Sequence, residues 1–239
     1  NPFREGSRPI NERGNYIGLK FHPNRRWQIN GYYDQFSFPW LRYLVDAPSK
    51  GHGYLFHAQW APQKNFKVFS VLRSETKQTN NPSNDAPKVP LTKVTRTSAT
   101  MNVEKSWSRS FTTRTRLQAG NYILEDFSTS KGWAMAQDVS LRFSRLELSG
   151  RLALFNTDDY NSRQYIYEKD VLYAFSLPAY YNEGTRHYLM VRYNVHKAVK
   201  LWIRWSQTTY KDIDTISSGL NEIQGNKHGE LEARLLFQL

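Results

Sequence analysis

The chain has 239 residues, a formal net charge of +12 and only 39% hydrophobic residues, with a mean hydropathy of −0.71. No stretch approaches the roughly 18 apolar residues of a membrane-spanning helix, and the absence of cysteine excludes disulfides and thiolate metal sites. Aromatic residues reach 15%, and the girdles of a membrane β-barrel are one place for them. The basic charge favours polyanions such as nucleic acid or lipopolysaccharide phosphates, unless it only reflects a lumen and loops rich in arginine and lysine.

Alternation of apolar and polar side chains predicts a series of long strands. The first covers 15–22, with Ile17, Leu19 and Phe21 on one face. In the last strand Leu231, Leu235 and Leu239 share an apolar face opposite Glu232 and Arg234. The other strands are predicted at about 26–36, 54–60, 66–73, 92–103, 108–118, 133–143, 146–155, 188–195 and 200–206.

Strand length and loop spacing favour a membrane protein. About ten residues per strand is what a tilted membrane strand needs, whereas soluble strands have about five or six. Short turns alternate with long polar loops such as 77–90, and further long loops are predicted at 38–53, which is aromatic, and at 119–131. We therefore predict an all-β, antiparallel, transmembrane up-and-down β-barrel over 15–239, with short periplasmic turns and long extracellular loops. Residues 1–14 are predicted to be a leading segment or loop. A soluble β-sandwich or closed β-barrel is the alternative, because periodicity does not show which way the apolar face points.

The short turns also constrain the number of strands. Segment 156–183 must hold either no membrane strand or two, in which case 164–167 and 171–175 would form a hairpin around 168–170. The count is then 11 or 13, about 12 visible strands. Because single-chain bacterial barrels normally have an even number of strands, we expect either a strand hidden in 1–14 or, by preference, further sequence before Asn1 that makes this chain part of a larger barrel.

Four stretches carry a family resemblance. They are WQINGYYDQFSFPWLRY at 27–43, FNTDDYNSR at 155–163, YEKDVLYAFS at 167–176 and DTISSGLNEIQGN at 214–226. Together they resemble the C-terminal region of the Bacteroidota helix-hairpin-helix (ComEA-like) domain-containing proteins. The resemblance implies a longer chain, an outer-membrane barrel and no established enzymatic activity. The helix-hairpin-helix module itself is not in these residues, so its association with DNA transfers to none of them. Family members often finish on Phe, whereas Phe237 is followed by Gln238 and Leu239.

Motifs for catalysis and for cofactors are missing from the sequence. There is no Gly-x-Ser-x-Gly elbow, His-Glu-x-x-His, P-loop or Gly-x-Gly-x-x-Gly. The six histidines are scattered, and neither Asp158-Asp159 nor Asp212-x-Asp214 completes an EF-hand. We therefore predict no catalytic residue, no cofactor and no metal site.

Charged residues on the polar faces of the strands are the candidate lumen-lining residues. They are Arg114, Arg116, Arg151, Arg192, Arg204, Arg234, Glu147 and Glu232. The arginines could line a lumen that favours anions. Alternatively they could pair with Glu147, Glu232 and Asp138 and so brace the barrel wall.

The loop 212–226 mixes aliphatic residues with glycine. Its candidate partner-binding or plug residues are Asp212, Asp214, Ile216, Gly219, Leu220 and Ile223. Aliphatic side chains in an outer loop suggest that the loop folds, inward as a plug or against a partner. An ordinary packed extracellular loop fits the sequence equally well.

These features lead to three functional hypotheses. The first is a non-enzymatic integral barrel of the bacterial outer membrane, acting as the membrane-embedded subunit of a transport, secretion or assembly complex. Its expected partners are outer-membrane lipid, lipopolysaccharide and other outer-membrane or periplasmic proteins. The second is a pore for DNA or another polyanion, which would make nucleic acid a partner. The third is a soluble periplasmic β-protein that binds a small ligand.

Overall fold

The computed structural model describes residues 11–82, 90–196 and 198–238. Residues 1–10 of the predicted leading segment, 83–89 of a predicted loop, Lys197 in a predicted turn and Leu239 of the last strand lie outside the described residues. Asn11 and Glu12 precede the first strand, which begins at Arg13.

Eleven long antiparallel strands form one sheet, and each has 11 to 16 residues. Their bounds are β1 Arg13–Asn24, β2 Trp27–Phe38, β3 Ser49–Gln63, β4 Phe66–Asn80, β5 Leu91–Ser106, β6 Phe111–Leu124, β7 Ser128–Arg142, β8 Leu146–Thr157, β11 Glu183–His196, β12 Val199–Tyr210 and β15 Lys227–Phe237. Four two-residue strands form two small separate pairs: β9 Gln164–Tyr165 with β10 Ala179–Tyr180, and β13 Thr215–Ile216 with β14 Ile223–Gln224. Each long strand pairs with the next long strand along the chain.

The apolar face of the sheet is uncovered by protein. Met101, Leu117, Met135 and Leu154 lie side by side across β5 to β8, and all four are 41–48% exposed. The opposite, polar face carries the packed side chains, including Ala136 and Ala153, which are fully buried. A soluble sheet would bury its apolar face, so this arrangement is the one expected where lipid covers that face.

The two ends of the sheet have different connections. At one end the turns are short, and at the other lie the long segments 39–48, 81–90, 158–182 and 211–226. One predicted long loop, 119–131, is wrong, because β6 continues to Leu124 and β7 begins at Ser128. Backbone pairing between Asn121 and Lys131 extends both strands past the apolar band. The polar side chains there belong to strand ends beyond the apolar band, and the backbone pairing of β6 with β7 continues through them.

Segment 158–182, here called the inner loop, contains no membrane strand. Of the two alternatives left open by the sequence, the hairpin of 164–167 with 171–175 is not formed, because Gln164–Tyr165 pairs with Ala179–Tyr180. Among the described residues the count of long strands is therefore eleven, the lower of the two predicted values. The physical reason is burial: Ile166 and Glu168 are fully buried against the polar face of the sheet, where a membrane hairpin could not place them.

Two loops share a hydrophobic cluster on the polar face. Strands β7 and β8 contribute Ala134, Ala136, Ala153 and Phe155, the inner loop contributes Ile166 and Tyr180, β12 contributes Tyr210, and segment 211–226, here called the hairpin loop, contributes Ile216. Phe155 stacks on Tyr180 with ring centroids 5.1 Å apart. Both loops therefore pack together over β7, β8 and β12. Across the described ranges, no helix is long and apolar enough to cross a membrane.

The sheet has two open edges. Within the described part of the chain, β1 and β15 each pair on one side only, and every residue of β1 is exposed. In an antiparallel series the first and eleventh strands run in the same direction, so these two edges are parallel to each other.

Candidate functional site

The inner loop is anchored at its start by two aspartates. The Asp158 carboxylate accepts a hydrogen bond from the backbone N–H of Lys131 at 2.9 Å. Asp159 caps the short 3-10 helix Tyr160–Ser162, accepting from the N–H of Asn161 at 2.7 Å, and also accepts from the Ser130 hydroxyl at 2.5 Å. The Ser130 hydrogen bond in particular lowers the pKa of Asp159. Both carboxylates thus hold the loop to β7. Among the described residues, no group of three or more His, Cys, Asp or Glu side chains is placed to hold a metal ion.

Glycines let the loop lie directly on the strands. A Cβ atom at Gly132 would lie 2.4 Å from the Ser162 carbonyl oxygen, and one at Gly120 would lie 2.8 Å from the Gln164 side-chain nitrogen. At Gly132 the close atom belongs to the loop backbone, so only glycine allows this contact, whereas at Gly120 the close atom is the end of a flexible side chain that could move.

A buried carboxylate from the loop forms the centre of the site. Glu168 is fully buried and receives four hydrogen bonds. Arg186 donates from Nε at 2.9 Å and from Nη2 at 3.0 Å, Arg204 donates from Nη2 at 2.5 Å, and the Tyr180 hydroxyl donates at 2.8 Å. Arg186 comes from β11 and Arg204 from β12, so one loop residue binds two adjacent strands.

The charge state of Glu168 follows from these contacts. Burial alone would raise its pKa, but the hydrogen bonds and charge of Arg186, the Tyr180 hydroxyl and the charge of Arg204 together lower the pKa below its ordinary value. Glu168 is therefore ionised at neutral pH and its acceptor positions are occupied. Such a carboxylate is suited to fastening a loop and is unsuited to general acid–base chemistry.

A second set of contacts continues along the same segment. Arg151 of β8 pairs with Asp138 of β7 through two hydrogen bonds of 2.6 and 2.8 Å, and its third donor reaches the Tyr167 carbonyl at 2.8 Å. The Lys169 ammonium donates to the hydroxyl of Ser149 at 2.8 Å. Consecutive residues 167–169 thus each contact the polar face.

The predicted lumen-lining residues lie on the polar face in different environments. Arg151 pairs with Asp138, Arg204 contacts Glu232 at 2.9 Å and Arg192 lies 3.7 Å from Glu147, all three being carboxylates named for the bracing alternative. Arg114 instead pairs with Glu104, a residue that the sequence did not single out. Arg116 donates to the Gln118 amide, and Arg234 is exposed on the edge strand β15.

The predicted plug loop folds as a small hairpin. Ile216 is 7% exposed within the cluster, and Ile223 packs against it, whereas Leu220 is fully exposed. The Asp214 carbonyl accepts from the N–H of Gly225. Asp212 and Gly219 have φ angles of 54° and 63°, the left-handed conformation of tight turns. Its three isoleucines, Ile213, Ile216 and Ile223, therefore pack in the cluster that both loops share, and Leu220 does not.

Sequence reasoning missed the centre of this site. Glu168 was interpreted as a turn residue, and Arg186 and Tyr180 were not selected. Two features of the sequence point to it. Glu168 lies between the apolar residues Ile166 and Val171, and the six polar-face arginines outnumber the three acidic residues named as their partners. That imbalance predicts a carboxylate from outside the strands.

No family model and no curated protein matches the chain. Solved structures do match. The open form of the ferric-catecholate import receptor Fiu from E. coli K12 aligns with 94% of this chain and 49% of its own, with a TM-score of 0.52 and 9% identity. The copper transporter OprC aligns with 93% of this chain and 41% of its own, with a TM-score of 0.53 and 10% identity. CdiB from Acinetobacter baumannii has a TM-score of only 0.41, too low to bear on the fold.

Identities this low concern the fold alone. The chain spans about half the length of the receptor and the transporter that it matches. The uncovered apolar face is accordingly the lipid-facing surface, and the polar face with its two loops is the lumen side. The chain has the antiparallel transmembrane β-barrel fold of outer-membrane proteins.

Proposed function

We propose that this chain is the membrane-embedded part of a non-enzymatic outer-membrane transport protein whose lumen is occluded by its own inner loop. The carrying observation is the Glu168 cluster, in which one loop carboxylate is held by Arg186 and Arg204 on two strands of the wall. An unpaired buried charge strongly destabilises the folded state, so burial of the loop carboxylate requires the wall arginines, and their burial requires the carboxylate. Passage of a solute then requires the loop to move.

The complete barrel contains more strands than the eleven described. The edges β1 and β15 run in the same direction, so joining them directly would give a barrel with one parallel strand pair. A barrel made of two identical copies would contain two parallel strand pairs. Closure with antiparallel seams needs an odd number of further strands. Barrels of 22 strands are known for plugged outer-membrane transporters. We also predict that the protein lies in the outer membrane, that it has partner proteins and that it is a member of the helix-hairpin-helix family.

The two alternatives have less support. A pore for DNA or another polyanion needs arginines that are free to meet phosphates on all sides of the lumen, but in the covered wall Arg151, Arg186 and Arg204 each contact a carboxylate. A soluble ligand-binding protein would need to cover its apolar face, and side chains such as Leu152 and Trp205 are 56% and 43% exposed there.

Deleting the loop tests the proposal. In the full-length protein expressed in its native outer membrane, residues 160–180 are replaced by a short Gly-Ser linker, and a matched control carries the same linker inserted at Asp126. We expect the deletion to increase uptake of a large hydrophilic dye or antibiotic, and the insertion to leave uptake unchanged. Heat-modifiable gel migration checks that both variants fold. A folded deletion variant with wild-type permeability would contradict the proposal.

A further inference from the structure

A basic cleft lies on the lumen side where β4, β5 and β6 meet the inner loop. Its volume is about 560 Å³, within the range of small-molecule sites. The charged residues lining it are Arg73, Arg96, Arg116, Arg163 and Glu75. The cleft therefore contains four guanidinium groups and a single carboxylate.

That carboxylate does not neutralise the cleft. Glu75 is bound by Arg73 at 3.0 Å and by Lys77. Within the described ranges neither Arg96 nor Arg116 forms an ion pair with a carboxylate. Arg116 donates to the neutral amide of Gln118 at 2.8 and 3.2 Å. These guanidinium groups keep donors and charge available for a ligand.

The inner loop adds a further cation and aromatic rings. Within the described residues Arg163 donates only to neutral oxygens, the Tyr165 hydroxyl at 2.7 Å and the Tyr160 carbonyl at 2.6 Å. Arg96 lies over the Tyr122 ring at 5.2 Å. The hydrogen bond from Arg163 is the main cause that lowers the pKa of Tyr165, with further lowering by the charge of Arg163, a hydrogen bond with Tyr160 and the charge of Arg96.

We infer that this cleft binds a small organic solute with clustered oxyanions, of the class represented by a phosphorylated sugar. Guanidinium forks match phosphate and carboxylate groups through paired hydrogen bonds. Flat tyrosine rings and neutral amides suit the carbon skeleton that carries the charges. The cleft opens on the lumen side, across the sheet from the lipid-facing band, so the ligand is a free solute and not a lipopolysaccharide headgroup. Binding in this cleft does not depend on whether the inner loop occludes the lumen.

Calorimetry on the full-length protein in detergent tests the inference. Glucose 1,6-bisphosphate is the probe, glucose is the neutral control, and purified lipopolysaccharide is the competitor. We expect saturable binding of one bisphosphate per chain that weakens as salt is added, no binding of glucose and no displacement by lipopolysaccharide. Absence of saturable binding, equal binding of glucose, or displacement by lipopolysaccharide would overturn it.

Substitutions locate the binding to the cleft. Arg96→Gln and Arg116→Gln each remove one charged donor and should weaken binding about tenfold or more. Arg234→Gln, on the polar face of the edge strand β15 and outside the cleft, should bind as the wild type does. The cleft is not the site if Arg96→Gln and Arg116→Gln both bind the bisphosphate with wild-type affinity. The same conclusion follows if Arg234→Gln loses as much affinity as those two variants. Because permeability is measured separately, this inference and the occluded-barrel proposal can fail independently.

Discussion

The two halves of the lumen face carry the same strand pattern but differ in how far their arginines depend on a carboxylate partner. In the half covered by the loops, Arg151, Arg186 and Arg204 are buried, and each contacts a carboxylate. In the less covered half, Arg96 is exposed and lies on a tyrosine ring, and Arg116 contacts a neutral amide.

This difference follows from the energetics of burying charge. A guanidinium withdrawn from water is destabilising unless a paired and well-bonded anion accompanies it. Covering the wall therefore requires carboxylates, and the inner loop supplies Glu168 while β7 supplies Asp138. Where the wall stays open to water, an arginine needs no internal partner and can meet an external anion. In the covered half, burial thus requires a carboxylate partner for each of the three arginines, whereas in the less covered half Arg73 and Arg114 pair with carboxylates and, within the described residues, Arg96 and Arg116 do not.

The largest expected effect comes from neutralising the loop carboxylate. Glu168→Gln leaves Arg186 and Arg204 buried without their shared anion, which should destabilise the covered half by about 3–5 kcal/mol. Urea unfolding, with limited proteolysis of the inner loop, measures it. Glu104→Gln is the matched control, because its partner Arg114 is half exposed and such a pair contributes about 0–1 kcal/mol. Equal losses in the two variants would remove the distinction between the halves.

The hairpin loop offers the next test. Ile216→Ala empties part of the cluster that joins both loops and should cost about 2–4 kcal/mol of unfolding free energy. Leu220→Ala, four residues away on the same loop but fully exposed, should change it by less than about 0.5 kcal/mol. The urea midpoint compares the two. A similar midpoint for both variants would mean that the hairpin loop does not pack on the inner loop.

A smaller effect is expected from the glycine beneath the inner loop. Gly132→Ala forces a Cβ atom against the Ser162 carbonyl oxygen, 2.4 Å away, and should destabilise by about 1–3 kcal/mol. Gly53→Ala, on a lumen-facing position of β3 where the nearest atom is 3.6 Å away, should be nearly neutral. The proteolysis rate of the inner loop checks both variants, and a tolerated alanine at 132 would show that the loop can lift from the sheet.

The sequence was sufficient to predict the faces and the order of the strands. Alternation with a period of two is local, so Met101 and Leu117 could be assigned to one face without knowledge of the fold. Strand ends were predicted less well. The polar stretch around Gly120 and Asn121 was interpreted as a loop, because backbone pairing continues there without an apolar signal.

The inner loop could not be placed from its sequence. The arginines that donate to Glu168 are far from it in sequence, Arg186 by 18 residues and Arg204 by 36, and no local pattern encodes such contacts. The short stretch around Lys169 has the composition of a turn, which explains the wrong hairpin. In physical terms, period-two patterning predicts which face a residue occupies, but not which loop covers that face.

The smallest expected effect on the inner loop is that of lowering the pH from neutral to mildly acidic. The pKa of Glu168 in the folded protein lies below its ordinary value of 4.5, and Asp159 shifts in the same direction. A carboxyl group with a lowered pKa contributes its full stabilisation above the unfolded-state pKa and loses it as pH falls through the folded-state pKa. The inner loop should therefore stay ordered down to about pH 4.5 and be released only below it.

A label on the loop can follow this release. The chain has no cysteine, so Tyr173→Cys, at an exposed loop position, gives one site for a fluorophore whose anisotropy falls when the loop is freed. In Glu168→Gln the acid step should shrink, because the carboxylate that titrates is gone. Release near pH 6.5 would instead indicate a histidine. It would contradict the assignment of the loop's attachment to Glu168, and with it the idea that coverage and charge pairing form one unit.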